Sequence, residues 1–130
     1  MSESYLLDTH TLLWLLSDSD QLSEKVRSII ENRNNASYVS MVTFWEIAIK
    51  INLGKLTLNL ALNELIPLLT DNDIEILQIS FEHILQLEVL EDIHRDPFDR
   101  LLISQAKHEG LIVLSKDRYF SRYKDLRVLW

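Results

Sequence analysis

The sequence predicts an α/β fold: a parallel sheet with helices on both faces. Three observations predict it. Short apolar segments of strand length alternate with segments of helical spacing along all 130 residues. The strand-like segments, such as Tyr5-Leu6-Leu7 and Leu111-Ile112-Val113-Leu114, are continuous apolar runs rather than apolar–polar alternations, as expected of strands covered on both faces. Only two glycines and two prolines interrupt the chain, so connections are short and no linker divides it. A single domain over residues 1–130 follows.

The elements are expected in this order. Tyr5–Asp8 is a short buried strand that stops on a carboxylate. Leu12, Leu13, Leu15 and Leu16 begin a helix ending near Ser17-Asp18. Ser23 is an N-cap for a helix to about Asn32, with Val26, Ile29 and Ile30 inward. Asn34-Asn35 turns the chain into a second strand, Ala36–Ser40. A helix over Thr43–Asn52 stops at Gly54, and another spans Leu58–Leu69. Glu75–Ile79 is a third strand and Phe81–Leu90 a short helix. Asp96-Pro97 starts a long helix over Pro97–Glu109, closed by Gly110. Leu111–Leu114 is a fourth strand, Arg118–Tyr123 a short helix and Arg127–Leu129 a fifth strand.

The bulk numbers narrow the function. There is no cysteine, so disulfides and thiolate metal sites are excluded, which fits a reducing cytosol. No apolar run reaches the roughly 20 residues needed to cross a bilayer, and the N-terminus has no signal-peptide pattern. With 20 acids against 13 bases, the formal charge of −7 argues against a protein that coats nucleic acid electrostatically. It leaves room for a nuclease whose acids gather at one site, and for a basic partner segment.

In a sheet of this class, sites form beyond the carboxyl ends of the strands. Asp8 and Asp117 follow strands there. Glu46 and Asp99 fall in what read as first helical turns. Each has a plain structural alternative. Asp8 and Asp117 can cap the helices that follow them, Glu46 can form an exposed pair with Lys50, and Asp99 can serve the helix dipole. Asp96 reads chiefly as the N-cap. Gathered at one edge, the four carboxylates would repel and take up a proton unless a cation sat among them. Mg²⁺ and Mn²⁺ prefer such oxygen donors, and an ion there can activate water against a phosphodiester.

The stretches YLLDTHTLLWLL, SMVTFWEIAIKINLGKL, HRDPFDRLLISQA and LIVLSKDRYFSRY, in this order, resemble the successive motifs of PIN-domain proteins, specifically the VapC-type toxins of bacterial toxin–antitoxin pairs. The resemblance covers nearly the whole chain. It implies a PIN-like three-layer sandwich of about five parallel strands, acting as a metal-dependent endoribonuclease with Mg²⁺ or Mn²⁺. By motif the catalytic acids fall on Asp8, Glu46, Asp99 and Asp117, with Asp8, Asp99 and Asp117 as metal ligands. Ser115 and Thr9 match hydroxyl positions beside them, and Asp96 stays outside the core set. The resemblance further implies an RNA substrate, a small cognate antitoxin that inserts a basic side chain, a homodimer and a cytoplasmic location.

Lys50, Arg95, Arg100, Lys116 and Arg118 lie near the acids in sequence and could form a phosphate-binding rim. His10, His83, His94 and His108 are scattered, and His94 and His108 read as surface residues near helix ends. Trp14, Trp45 and Trp130 read as core or interface, and Leu12–Leu16 and Phe44–Ile51 could supply a dimer contact. A non-catalytic PIN-fold interaction or RNA-binding module is the main alternative. A phospho-acceptor signalling domain would need an acidic pair after the first strand and an acceptor Asp after the third, and neither is present.

Overall fold

A computed structural model describes residues 3–130. Five strands form one parallel sheet: β1 (Ser4–Leu7), β2 (Ala36–Ser40), β3 (Ile74–Leu77), β4 (Ile112–Leu114) and β5 (Val128–Leu129), in the spatial order β3-β2-β1-β4-β5. The helices are α1 (Thr9–Leu16), α2 (Glu24–Glu31), α3 (Met41–Asn52), α4 (Leu65–Asp71), α5 (Phe81–Glu88) and α6 (Pro97–Glu109).

The continuous apolar strands divide by their period of two. Tyr5, Leu7, Val39, Ile112 and Leu114 join Leu12, Val26, Ile47, Leu65 and Leu69 in one core cluster. Leu6 and Val113 join Leu101, Leu102, Ile103, Ala106, Phe120 and Tyr123 in the other. β1 and β4 are therefore buried on both sides, which is why no polar alternation is visible in their sequences.

Helix starts follow local chemistry. Ser23 caps α2 as expected, and Asp96 caps α6, accepting hydrogen bonds from the backbone N–H groups of Phe98 and Asp99, with Pro97 at the first helical position. Gly110 closes α6 at φ +70°, and a Cβ there would meet nothing within 4 Å. Gly110→Ala therefore suffers only from its backbone conformation, a loss of about 1–2 kcal/mol by urea denaturation.

Helix α1 begins at Thr9, directly after Asp8, rather than at Leu12, and β3 is Ile74–Leu77 rather than Glu75–Ile79. Three further differences bear on the site and its surroundings. Ser40 caps α3 by accepting from the Val42 N–H, so that helix begins at Met41 and Glu46 lies in its second turn, not its first. The expected helix Leu58–Leu69 is instead a single 3-10 turn, Leu62–Glu64, followed by α4. Pro67 explains this: lacking an N–H and fixed in φ, it fits the first turn of a helix and not its middle. The segment Arg118–Tyr123 forms only a 3-10 turn, Phe120–Arg122.

The chain lays β2 and β3 on one side of β1, then crosses over to lay β4 and β5 on the other. The direction of winding thus switches between β1 and β4. Ligand crevices form outside the carboxyl ends of the strands at such a point. Asp8 leaves β1 there, and Ser115 to Asp117 leave β4 beside it.

Candidate active site

Asp8 is both cap and crevice residue. Its Oδ1 accepts from the Thr11 N–H at 2.9 Å, and its Oδ2 accepts from Ser115 Oγ at 2.5 Å. The register that pairs Leu7 with Leu114 makes the second contact inevitable, because it sets Asp8 beside Ser115. Thr11 Oγ1 lies 2.6 Å from Asp8 Oδ1 and 2.7 Å from the Leu114 carbonyl oxygen. A hydroxyl has one hydrogen, so these two oxygens compete for the same donor. The Asp8 pKa is raised, by burial, with the hydrogen bonds from Ser115 and Thr11 acting against the rise.

Glu46 is buried. Its Oε1 accepts from Thr9 Oγ1 at 2.7 Å and its Oε2 from Lys50 Nζ at 2.7 Å. The Glu46–Lys50 pair anticipated as a solvent-exposed contact therefore exists, but with its acid inside the protein. The hydrogen bond to Glu46 holds the Lys50 ammonium above its usual pKa, with burial working in the opposite direction.

Asp99 occupies the first turn of α6, one turn ahead of the buried ridge of Leu102, Ile103 and Ala106. Its pKa is pushed up to about 8, first by burial and then by the charges of Asp96, Asp8, Glu46 and Asp117. The acids separated in sequence thus act on one carboxyl group. Asp117 follows β4; its Oδ1 accepts from the Tyr119 N–H at 2.9 Å and its own N–H donates to Ser115 Oγ at 3.0 Å. It shapes a tight turn rather than capping a helix.

A histidine joins them. His94 is buried, not a surface residue as its sequence position implied. Its Nε2 lies 2.9 Å from Asp117 Oδ2 and 3.2 Å from Asp99 Oδ2. Among the described residues, His94, Asp99 and Asp117 form the group whose ligand atoms all lie within 4.8 Å of one another. Asp8 and Glu46 stand outside this trio, held by Thr11, Ser115, Thr9 and Lys50. The one local signal for His94 was its place two residues before the helix cap, from which its ring accepts the Asp96 N–H.

The basic residues are less available than their sequence positions imply. Lys50 is committed to Glu46. Arg100 donates to the Glu91 and His94 carbonyl oxygens and so clamps the loop before α6. Lys116 donates to Gln21 and lies over the Trp14 ring. Arg95 and Arg118 are exposed, with no ion pair among the described residues. Trp14 and Trp130 pack on the core, whereas Trp45 is exposed and meets Phe98 edge-on. An open crevice of about 420 Å³ runs along Asp8, His10, Trp14, Lys116 and Asp117.

The carboxylate-rich donor set suits a hard divalent cation, since mutual repulsion among the acids is part of what raises Asp99 and a bound positive charge would relieve it.

The PIN domain family model matches residues 5–126. Among solved structures, the chain is similar to a protein in the VapBC2 complex of Rickettsia felis bound to a promoter DNA fragment, at 17% identity and TM-score 0.72, covering 97% of each chain. It is similar to one in VapBC-1 of nontypeable Haemophilus influenzae, at 19% identity and TM-score 0.69, covering 97% of this chain and 96% of that one. It is also similar to one in the FitAcB structure from Neisseria gonorrhoeae, at 20% identity and TM-score 0.61, with the same coverages of 97% and 96%. At these identities the likeness concerns the fold. No protein of curated function matches the sequence.

Proposed function

Since this chain belongs to the PIN-domain family, we propose that it is a Mg²⁺- or Mn²⁺-dependent endoribonuclease, the VapC-type toxin of a toxin–antitoxin pair, built as one domain. The observation that carries this reading is the gathering of Asp99 and Asp117 at the switch point of the sheet, with Asp8 tied to Asp117 through Ser115.

Asp8, Asp99 and Asp117 would hold the ion, each through carboxylate oxygen. The ion would supply positive charge to activate water and offset the charge that develops on the phosphodiester. The chain's own groups do the rest. Ser115 and Thr11 fix the Asp8 carboxyl from both sides, and Thr9 and Lys50 fix Glu46. Glu46, which is not among the ion's holders in this reading, is assigned to act on a proton of the attacking water, with Thr9 and Lys50 fixing its carboxylate. Arg95 and Arg118, exposed beside the site, are free to meet the RNA backbone.

A small antitoxin is the partner this reading implies. The similar solved structures include VapBC2, VapBC-1, FitAcB and a toxin–antitoxin complex from Klebsiella pneumoniae, which supports it. A homodimer has support from α3, where Trp45, Ile49 and Ile51 are exposed; Leu12–Leu16 is mostly turned into the core instead. Among the described residues no helix is long and apolar enough to cross a membrane, in keeping with a cytoplasmic site of action.

Purified protein incubated with mixed RNA is expected to cleave it in Mg²⁺ or Mn²⁺, and not in EDTA. Asp8→Asn is expected to lower the rate at least ~10²-fold, the scale of losing one preorganised electrostatic contact. Cleavage that survives EDTA or this substitution would remove the basis for the proposal. Binding of RNA without cleavage would favour the non-catalytic module.

A further inference from the structure

We propose that His94 is a positioning residue, which orients Asp117 beside Asp99 by donating its Nε2–H to the Asp117 carboxylate, rather than a ligand of the divalent ion. The inference rests on the metal-dependent reading of the site above, and concerns how this chain prepares one of its acids.

The position of His94 is over-determined for a loop residue. Its backbone N–H donates to Tyr123 Oη at 2.8 Å, and its carbonyl oxygen accepts from Arg100 Nη1 at 3.0 Å. Tyr123 Oη in turn donates to the Glu91 carbonyl oxygen at 3.2 Å. The imidazole lies near two rings, with centroids 5.4 Å from Tyr119 and 5.6 Å from Phe120. Backbone and ring are both held.

The ring's hydrogen bonds fix its tautomer. Nδ1 accepts from the Asp96 N–H at 3.2 Å. That nitrogen cannot carry a hydrogen while another N–H points at it, so the hydrogen of the neutral ring sits on Nε2. Nε2 faces Asp117 Oδ2 at 2.9 Å and Asp99 Oδ2 at 3.2 Å. That N–H bonds Asp117, while Asp99 stands beside the ring in electrostatic contact only. The same hydrogen leaves Nε2 without a free lone pair for an ion, although the three groups are close enough to hold one. Swapping the tautomer would set two N–H groups against each other at Asp96.

What remains exposed to an ion is oxygen. Asp117 has both oxygens oriented, Oδ1 by the Tyr119 N–H and Oδ2 by His94. The Asp99 carboxyl accepts no hydrogen bond among the described residues, and its Oδ2 stands 3.2 Å from His94 Nε2. Hydrogen-bond partners behind metal-binding carboxylates, as His94 is to Asp117, contribute to affinity.

The test is direct Mn²⁺ binding by isothermal titration to the wild type, His94→Leu and His94→Gln, with thermal melts in EDTA as the control for folding. His94→Leu is expected to weaken Mn²⁺ binding roughly 10–100-fold. His94→Gln, whose amide N–H can reach the same carboxylate, is expected to recover most of it. Nitrogen NMR of the wild type is expected to find the hydrogen on His94 Nε2 both without metal and with Mg²⁺. Wild-type binding by a folded His94→Leu, or a His94 Nε2 without its hydrogen in the Mg²⁺-loaded protein, would overturn the inference alone. If His94→Leu does not fold, binding by His94→Gln weaker than wild type by the full expected factor would overturn it, as would the wrong tautomer. A wild type that binds no Mn²⁺ would overturn the reading of the whole site, and this inference with it.

Discussion

Asp99→Asn is expected to abolish RNA cleavage and at the same time to stabilise the metal-free protein at pH 8. The two effects have one cause. Asp99 is pushed up to about 8, by burial and by four neighbouring acids, from an ordinary value of 3.8. Between those values the unfolded chain has released this proton while the folded protein still holds it. Folding then takes up a proton, and stability falls as pH rises. The contribution of this group is fully present below about pH 3.8 and lost by the time pH passes about 8. An asparagine does not titrate and adds no charge to the cluster. In urea denaturation with EDTA, the wild type should lose more stability between pH 5 and pH 8 than Asp99→Asn does. Adding Mg²⁺ or Mn²⁺ at pH 8 should restore the wild type and leave the variant unchanged. Cleavage should fall at least ~10²-fold. A variant that still cuts RNA, or whose pH dependence matches the wild type, would show that Asp99 is not the focus of the acid cluster.

The largest effect on folding is expected from Phe120→Ala, a loss of about 3–5 kcal/mol. Phe120 has no exposed surface, and it lies in the core cluster with Leu6, Leu102 and Val113. It sits in the turn just after Asp117, so the loop is short of room to collapse into the space left behind. Such a cost is a large part of the stability of a domain this size. The ring is also a neighbour of His94, so the surviving folded fraction should bind Mn²⁺ more weakly than the wild type. Guanidinium titration and Mn²⁺ binding at a concentration where the variant is still folded check both parts. A loss below about 1 kcal/mol would mean that the ring contributes little to the core.

Part of this was legible in the residues. The helix at Pro97–Glu109 was readable because Asp96, Pro97 and Gly110 each act on their own backbone neighbours, and the structure has the same bounds. The strand at Ala36–Ser40 was readable for a similar reason, lying between a turn and a helix cap. The start of α3 is obscured in the sequence because Ser40 serves both strand and cap, so Glu46 lies in the second turn rather than the first. The leucines of Leu58–Leu69 have the spacing of one helix, but Pro67 limits where a helix can begin. The burial of His94 is hidden for a different reason. Its partners Asp117 and Tyr123 come from beyond the next helix and strand, and only packing brings them together.

The sequence by itself determined the layering, the parallel sheet and the acids at strand ends and helix starts. These follow from hydrophobic period, turn chemistry and capping, which act over a few residues. The tertiary structure alone decided that Asp8 is buried, that Asp99 gathers the charge of the other acids, and that His94 is buried against two of them. Those properties depend on desolvation and on distances between residues remote along the chain, and both arise only when the sheet is assembled.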